Sequence, residues 1–208
     1  MRDTLFRYFP SLSEAQKDKL SRLRPIYTRW NSMINVISRK DFDNFEIHHV
    51  LHSMSIAKVI SFLPGTCILD VGTGGGFPGI PLAILFPDSE FTLLDSTGKK
   101  IKVVSAVADE LDLRNIRTLK KRVEEEEGKY DFVISRAVTE FKSFVKLTSK
   151  NILKNGNNSP RNGILYLKGG DLEDELAQFN NKAQVWNISE FFSEPYFETK
   201  KIVYLPIN

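Results

Sequence analysis

The spacing of hydrophobic positions changes about a third of the way along the chain. Over residues 13–62, apolar side chains recur at steps of three and four positions, which is the period of a helix buried on one face. This pattern predicts a first helix capped by Ser11 or Ser13 and a second helix over Phe45–Ile60. Pro64-Gly65 then interrupts the pattern. We therefore expect an N-terminal helical segment over residues 1–63.

Beyond Gly65, short apolar runs alternate with segments of helical length. The predicted strands are Thr66–Val71, Glu90–Asp95, Ile116–Leu119, Tyr130–Ser135, Gly163–Lys168, Gln184–Ile188 and Lys201–Pro206. The predicted helices are Ile80–Leu85, Gly98–Leu111, Glu140–Leu153 and Leu172–Asn180. Strands that alternate with helices indicate βαβ units and a parallel sheet, whereas the last two strands have no clear helix between them. The fold class predicted for residues 64–208 is a Rossmann-like α/β domain, whose mostly parallel seven-stranded sheet ends in an antiparallel hairpin.

Composition narrows the class of protein only modestly. The chain has 208 residues, of which 41% are hydrophobic and 26% are charged, and its net charge is +3. Its first residues do not resemble a signal peptide, and no apolar run approaches the roughly 18–20 residues that cross a bilayer. Cys67 is the single cysteine, which excludes an internal disulfide and a cysteine cluster for zinc. We expect a soluble cytoplasmic monomer with no metal and no membrane partner.

The stretch Ile68–Pro81 is the most informative about the ligand. In it an apolar strand leads through glycines, including Gly72 and Gly74, into a helix. Such glycines let the backbone turn tightly against a ligand. The run also satisfies the dinucleotide pattern G-x-G-x-x-G, which is weak evidence alone. Asp70 precedes the turn, where a carboxylate would repel a pyrophosphate but can hold the ammonium of a methionine moiety, directly or through water. Asp95 ends the next strand, where it can accept bonds from ribose hydroxyls. The pattern favours S-adenosylmethionine over NAD.

Several motifs match one known family. They include Asp70–Pro81, Leu94-Asp95-Ser96, Arg122-Val123-Glu124-Glu125, Ile134-Ser135-Arg136-Ala137 and Tyr166–Gly170, with Trp30-Asn31, Asn35, His49, Leu51 and Ser53 upstream. From about Arg29 to Glu175 the chain resembles the bacterial ribosomal RNA small-subunit methyltransferase G family, also called glucose-inhibited division protein B. One position departs from that family, because His52 stands where many members carry an acid.

The resemblance implies an S-adenosylmethionine-dependent methyltransferase of the class I fold that acts on N7 of a guanine, guanine 527, in 16S ribosomal RNA. The implied partner is 16S rRNA or the small ribosomal subunit. The resemblance also implies that Gly72, Phe77, Val123, Glu124 and Arg136 line the cofactor site.

The absence of certain motifs agrees with a ring nitrogen or oxygen as the acceptor. Methyl transfer from a sulfonium is an in-line displacement, and guanine N7 carries no proton that a base must remove. Cys67 begins the first strand, whereas attack on a pyrimidine carbon calls for a cysteine after strand four or five. The turn after strand four reads Ser135-Arg136-Ala137-Val138 and lacks the Asn/Asp-Pro-Pro-aromatic motif of exocyclic-amine methyltransferases. Ser135 and Arg136 are the catalytic candidates, and Arg136 can bind the cofactor carboxylate or an RNA phosphate.

Other interpretations of these residues stay open at the level of sequence. Arg136 could instead pair with Glu124 or Glu140, Phe77 could simply pack in the core, and Glu124 could lie on a solvated face. For the whole chain the alternatives are a methyltransferase of small molecules or proteins, a non-catalytic ribosome-assembly factor and an NAD-linked oxidoreductase.

Overall fold

A computed structural model describes residues 2–136, 139–179 and 182–207. It contains one seven-stranded sheet in the order β3-β2-β1-β4-β5-β7-β6. The strands are β1 (Cys67–Val71), β2 (Glu90–Asp95), β3 (Ile116–Lys120), β4 (Phe132–Arg136), β5 (Gly163–Gly169), β6 (Gln184–Asn187) and β7 (Lys200–Pro206). Strands β1 to β5 pair in parallel, and β7 is antiparallel to both of its neighbours. The mostly parallel sheet with a terminal antiparallel hairpin is therefore confirmed.

The described helices flank this sheet. They are α1 (Arg2–Tyr8), α2 (Glu14–Met33), α3 (Arg39–Phe42), α4 (His52–Met54), α5 (Gly79–Leu85), α6 (Gly98–Glu110), α7 (Phe141–Thr148) and α8 (Glu173–Ala177). A π-helical turn over Glu46–Leu51 precedes α4, and a 3-10 turn over Ser55–Lys58 follows it. Helix α2 begins with a capping box, in which the Ser13 side chain accepts from the Gln16 N–H and the Gln16 side chain accepts from the Ser13 N–H.

The helices cover both faces of the sheet and form two apolar cores. On one face, the N-terminal helices, α5 and α6 pack against strand residues such as Ile68 and Ile134. On the other face, α7 packs against residues such as Val133 and Tyr166. Because both faces are covered, the central strands are apolar almost throughout, as expected for a buried parallel sheet.

The sheet order places the carboxyl ends of β1, β2 and β4 side by side. Asp70 pairs in register with Leu93 of β2 and with Ile134 of β4. The chain leaves β1 toward β2 on one side and later returns to β4 on the other, so the connections diverge at this edge. In open α/β sheets, that divergence leaves a crevice at the carboxyl ends where ligands bind.

Most of the predicted elements are present, with shifts at their ends. The predicted strand Tyr130–Ser135 is observed two residues later at its start and includes Arg136. The predicted helix Phe45–Ile60 was wrong as one regular helix, because the π-helical turn, α4 and the 3-10 turn follow one another there. Helix α1 was missed.

Candidate functional site

The glycine-rich turn after β1 is held by backbone hydrogen bonds to β2. The N–H groups of Gly72 and Thr73 both donate to the Leu94 carbonyl oxygen, at 2.8 and 3.0 Å. Gly72 and Gly74 have φ values of 67° and 59°, which only glycine adopts without strain. Glycine at these positions therefore allows the chain to double back at the end of β1.

Asp70 lies behind this turn and is fully buried. Its Oδ2 accepts from the Thr73 hydroxyl at 2.6 Å and from the Gly79 N–H at 2.9 Å. A Cβ atom at position 79 would lie 2.7 Å from that oxygen, so the close contact between the Asp70 carboxylate and the backbone requires glycine there. Burial raises the pKa of Asp70 to about 7, although the two hydrogen bonds oppose the shift. Asp70 thus fixes the turn, and its Oδ1 has no hydrogen-bond partner within the described part of the chain.

An open cleft of about 440 Å³ lies at the carboxyl ends of β1, β2 and β4. Its lining includes Val71, Gly72, Leu94, Asp95, Ser96, Thr97, Lys100, Lys121, Arg122, Val123, Glu124 and Arg136. Five of the residues predicted for the cofactor site, namely Gly72, Asp95, Val123, Glu124 and Arg136, therefore meet around one space. The sequence-based prediction did not include the cleft residues Thr97, Lys100 and Lys121, although the basic clusters that contain Lys100 and Lys121 are visible in the sequence.

Asp95 stands at the tip of β2 and joins two loops of the cleft. Its Oδ2 accepts from the Gly74 N–H at 3.0 Å and its Oδ1 accepts from the Thr97 N–H at 2.8 Å. The Lys100 ammonium lies 3.8 Å from Oδ2. The side chain is buried within the protein yet reaches the cleft wall. Asp95 thus connects the glycine-rich turn to the loop after β2.

Val123 and Glu124 belong to a 3-10 turn over Val123–Glu125 that follows β3. Glu124 is exposed, and its carbonyl oxygen accepts from the Lys150 ammonium at 2.6 Å. The Glu124 carboxylate makes no ion pair among the residues that the structure describes. The turn forms the side of the cleft nearest β3.

Arg136 extends from the end of β4 toward the N-terminal elements. Its guanidinium donates to the His48 carbonyl oxygen at 3.0 Å and to His49 Nδ1 at 2.9 Å. Its Cζ lies 5.4 Å from the centroid of the Phe77 ring, a cation–π contact. Because a guanidinium only donates, Nδ1 of His49 accepts and the ring proton lies on Nε2. Burial, reinforced by Arg136, lowers the pKa of His49 to about 3.

The charge of Arg136 has no carboxylate partner among the residues that the structure describes. Over residues 2–136, 139–179 and 182–207 no carboxylate forms an ion pair with it, so the alternative pairing with Glu124 or Glu140 is not observed. Burial lowers the pKa of Arg136, but an arginine stays protonated in proteins. A half-buried cation at the wall of a cleft is a ready partner for an anionic ligand group.

Ser135 and Phe77 support the site from behind. The buried Ser135 hydroxyl donates to the Val71 carbonyl oxygen at 2.7 Å and so ties β4 to the end of β1. Phe77 is 3% exposed and packs against Tyr27, Phe45 and His49. The core packing considered for Phe77 is thus observed, and the aromatic neighbours come from the N-terminal segment.

Tyr27 is a supporting residue that the sequence-based prediction missed. It is completely buried in α2, and its hydroxyl donates to the Gly75 carbonyl oxygen in the glycine turn. Its spacing in the sequence indicates only a core position, because the contact joins residues 48 positions apart.

No described helix combines the length and apolar character needed to span a membrane. Within the described residues, no group of three or more His, Cys, Asp or Glu side chains is arranged to hold a metal ion.

Solved structures share the fold of this chain. A precorrin-6y C5,15-methyltransferase from Geobacter metallireducens superimposes with a TM-score of 0.56 and 11% identity, over 75% of this chain and 87% of that one. A SAM-dependent methyltransferase from Aquifex aeolicus also gives 0.56, with 16% identity, over 75% and 89% of the two chains. The fold is therefore the Rossmann-like fold of S-adenosylmethionine-dependent methyltransferases.

Sequence comparison is more specific. Residues 16–201 match the family described as rRNA small subunit methyltransferase G. The "Ribosomal RNA small subunit methyltransferase G" of Christiangramia forsetii is 52% identical over 99% of this chain and 97% of its own length. The protein of the same name from Porphyromonas gingivalis is 52% identical over 97% and 91%. The chain therefore belongs to the rRNA small subunit methyltransferase G family, as its motifs predict.

Proposed function

We propose that this protein transfers the methyl group of S-adenosylmethionine to N7 of a guanine in the 16S rRNA of the small ribosomal subunit. The observation that carries the proposal is that the guanidinium of Arg136, which forms no ion pair within the described part of the chain, lines the same cleft as the Asp95 carboxylate. A zwitterionic amino acid joined to a ribose needs both kinds of group. A ribosomal substrate implies that the protein acts in the cytoplasm.

The residues of the cleft fit this cofactor by their chemistry. Arg136 is suited to the methionine carboxylate, because no protein carboxylate neutralises it among the described residues. Asp95 is suited to the ribose hydroxyls, and the turn at Val123 and Glu124 is suited to the adenine. Asp70 acts through the turn that it fixes, and the prediction that it holds the ammonium requires its unpartnered Oδ1 or a bridging water.

When bound, S-adenosylmethionine supplies a methyl carbon to which guanine N7 bonds as the carbon–sulfur bond breaks, with the electron pair kept by sulfur. The residues of this chain then have to orient and desolvate the reactants. Orientation and desolvation lower the activation barrier of such displacements, because their cost is met when the reactants bind. N7 already has a free lone pair, so no side chain has to remove a proton from it. Ser135 is committed to the Val71 carbonyl oxygen and positions β4, with Arg136 next to it, against β1.

The test is methyl mapping on a defined substrate. The purified protein is incubated with tritiated S-adenosylmethionine and either small subunits or deproteinised 16S rRNA, both from a strain in which the gene is deleted. We expect label in rRNA, recovered as 7-methylguanosine at a single position after nuclease digestion.

Other results would contradict the proposal in distinct ways. Label in ribosomal protein or in a metabolite fraction would indicate a different acceptor class. Label at another atom of the rRNA would refute N7. Binding to the subunit with no transfer at all would indicate a non-catalytic assembly factor.

A further inference from the structure

Arg136 lines a second cavity in addition to the cleft already described. This histidine cavity has a volume of about 250 Å³ and is lined by His48, His49, His52, Arg136, Tyr196 and Lys200, among others. It lies where the π-helical turn, the end of β5 and the start of β7 meet. Because one side chain borders both spaces, a ligand in the histidine cavity is adjacent to a ligand in the cleft.

A stacked pair of planar side chains forms part of the cavity wall. The rings of His48 and Tyr196 are 3.9 Å apart between centroids and only 17° from parallel. Both residues are half-buried and line the cavity, so each is partly accessible from it. The Tyr196 hydroxyl lies 3.3 Å from Nδ1 of His52, which fixes the direction of the tyrosine ring. Aromatic surfaces of this kind stack single-stranded bases, since every base has a π face.

The cationic groups of the cavity are not all neutralised by the protein. Lys168 is paired with Glu175 at 2.5 Å, and the carboxylate of Asp41 is engaged by Ser38 and His48. Lys200 lies 4.9 Å from the centroid of the Tyr196 ring and makes no ion pair within the described ranges.

The buried histidines of the cavity add no positive charge. Burial, together with Arg136, lowers the pKa of both His49 and His52, so these two rings are neutral near pH 7. Among the cavity residues that the structure describes, Arg136 and Lys200 are thus cations without an ion pair, and because Arg136 is assigned to the cofactor carboxylate, Lys200 remains for an anion that enters the cavity. Phosphate is the anion that such unpaired arginine and lysine side chains recognise in RNA complexes.

We propose that the histidine cavity receives the acceptor nucleotide of single-stranded RNA, with the base stacked on the His48–Tyr196 pair and its phosphate held by Lys200. This inference rests on the proposed function, because it assigns the acceptor side of the same site. Sequence-specific RNA recognition usually targets unpaired nucleotides splayed onto aromatic side chains, and base-modifying enzymes take the target out of its stack.

The test compares substrate affinity with cofactor affinity in the full-length chain. Tyr196→Leu removes the ring and Lys200→Met removes the charge. Lys201→Met is the matched control, because Lys201 is the next residue of β7 and does not line the histidine cavity. The probes are small subunits and deproteinised 16S rRNA from the deletion strain, bound in the presence of S-adenosylhomocysteine.

We expect Tyr196→Leu and Lys200→Met each to weaken RNA binding and raise its KM by roughly tenfold. Their dissociation constants for S-adenosylhomocysteine should stay within about twofold of wild type. Tyr196→Phe, which keeps the ring, should recover most of the affinity. Ultraviolet crosslinking of the wild-type complex should yield an RNA adduct on the peptide that contains Tyr196.

Three results would overturn the assignment. Unchanged RNA affinity and KM in Lys200→Met would do so even if Tyr196→Leu failed to fold. A loss in Tyr196→Phe equal to that in Tyr196→Leu would refute a stacking role. If the wild-type protein methylates neither form of the rRNA, both this inference and the proposed function fail. If the wild-type protein methylates rRNA and the variants bind RNA as it does, only the assignment of the histidine cavity fails.

Discussion

Arg136 concentrates the unusual electrostatics of the site in one side chain. It donates to a carbonyl oxygen and to a histidine nitrogen, neither of which carries a negative charge. Hydrogen bonds to neutral partners compensate only part of the cost of removing a guanidinium from water. An anion that accepts the remaining hydrogen bonds of the guanidinium is therefore bound with a larger gain in free energy than a neutral group would be. The reason is that hydrogen bonds between charged groups are the stronger ones.

Replacing Arg136 by lysine should weaken the binding of S-adenosylhomocysteine by about tenfold to a hundredfold. A lysine ammonium cannot reproduce the planar fork that reaches the His48 carbonyl, His49 and a carboxylate together. Titration calorimetry measures the effect, with Arg117→Gln on the exposed side of β3 as the control for a lost charge. An Arg136→Lys protein that binds as tightly as wild type would show that this arginine does not contact the cofactor.

Asp70 makes the stability of the protein depend on pH. Its pKa is raised to about 7 in the folded protein, against an ordinary value of 3.8. Between these values the folded state holds a proton that the unfolded chain has released, so this group's stabilising contribution is full below about pH 4 and is lost as the pH rises through about 7. Asn at this position cannot ionise and keeps an oxygen for Thr73 and Gly79.

We therefore expect the free energy of unfolding of Asp70→Asn, relative to wild type, to increase from about pH 4 to pH 8. The upper limit is about 1.4 kcal/mol for each unit that separates the two pKa values. Urea denaturation without cofactor at several pH values measures it. Parallel pH profiles for the two proteins would mean that folding does not change the pKa of Asp70.

At the scale of elements, β1 to β5 could be predicted from sequence to within two residues at each end, because their runs are apolar and turn residues bound them. The π-helical turn could not. Apolar periodicity distinguishes the three- and four-residue steps of a helix from the alternation of a strand. It does not show which carbonyl oxygen accepts from each N–H, and so it does not separate a π-helical turn from an α-helix. This turn brings His48 and His49 to Arg136, almost ninety positions away. Such a contact depends on tertiary packing, so the cleft residues of the α/β segment were predictable and the histidine cavity was not.

Helix α2 supports the glycine turn through one hydroxyl. Tyr27→Phe should lower the free energy of unfolding by about 1–3 kcal/mol, because the buried Gly75 carbonyl loses its donor. Tyr8→Phe in α1 is the matched control, since the Tyr8 hydroxyl bonds to Ser193 and Glu194 near the surface and should matter less. Equal stability losses in the two variants, measured by urea denaturation, would show that the Tyr27 bond has no special weight.

At the scale of the whole molecule, the N-terminal helices share the apolar core on one face of the sheet and do not form a separate core of their own. Leu23, Tyr27, Phe45, Leu51 and Met54 are completely or almost completely buried, and they belong to the same cluster as strand residues of the sheet. Helix α5 packs against both α2 and α4. Each such side chain contributes roughly 1.5–3 kcal/mol when it is removed from water, and a typical domain has only about 5–15 kcal/mol in total.

Removing residues 1–63 should therefore abolish cooperative folding of residues 64–208, although the remaining segment contains every described strand and all the residues that line the cleft. Without α2 and α4, helix α5 would expose apolar side chains such as Ile80, and Phe77 would lose its aromatic neighbours. Calorimetry of the fragment should show no sharp transition, and S-adenosylhomocysteine should not restore one. A fragment that melts cooperatively and binds the compound would show that the N-terminal helices are needed neither for folding nor for cofactor binding. Their contribution to the site would then be limited to binding the methyl acceptor.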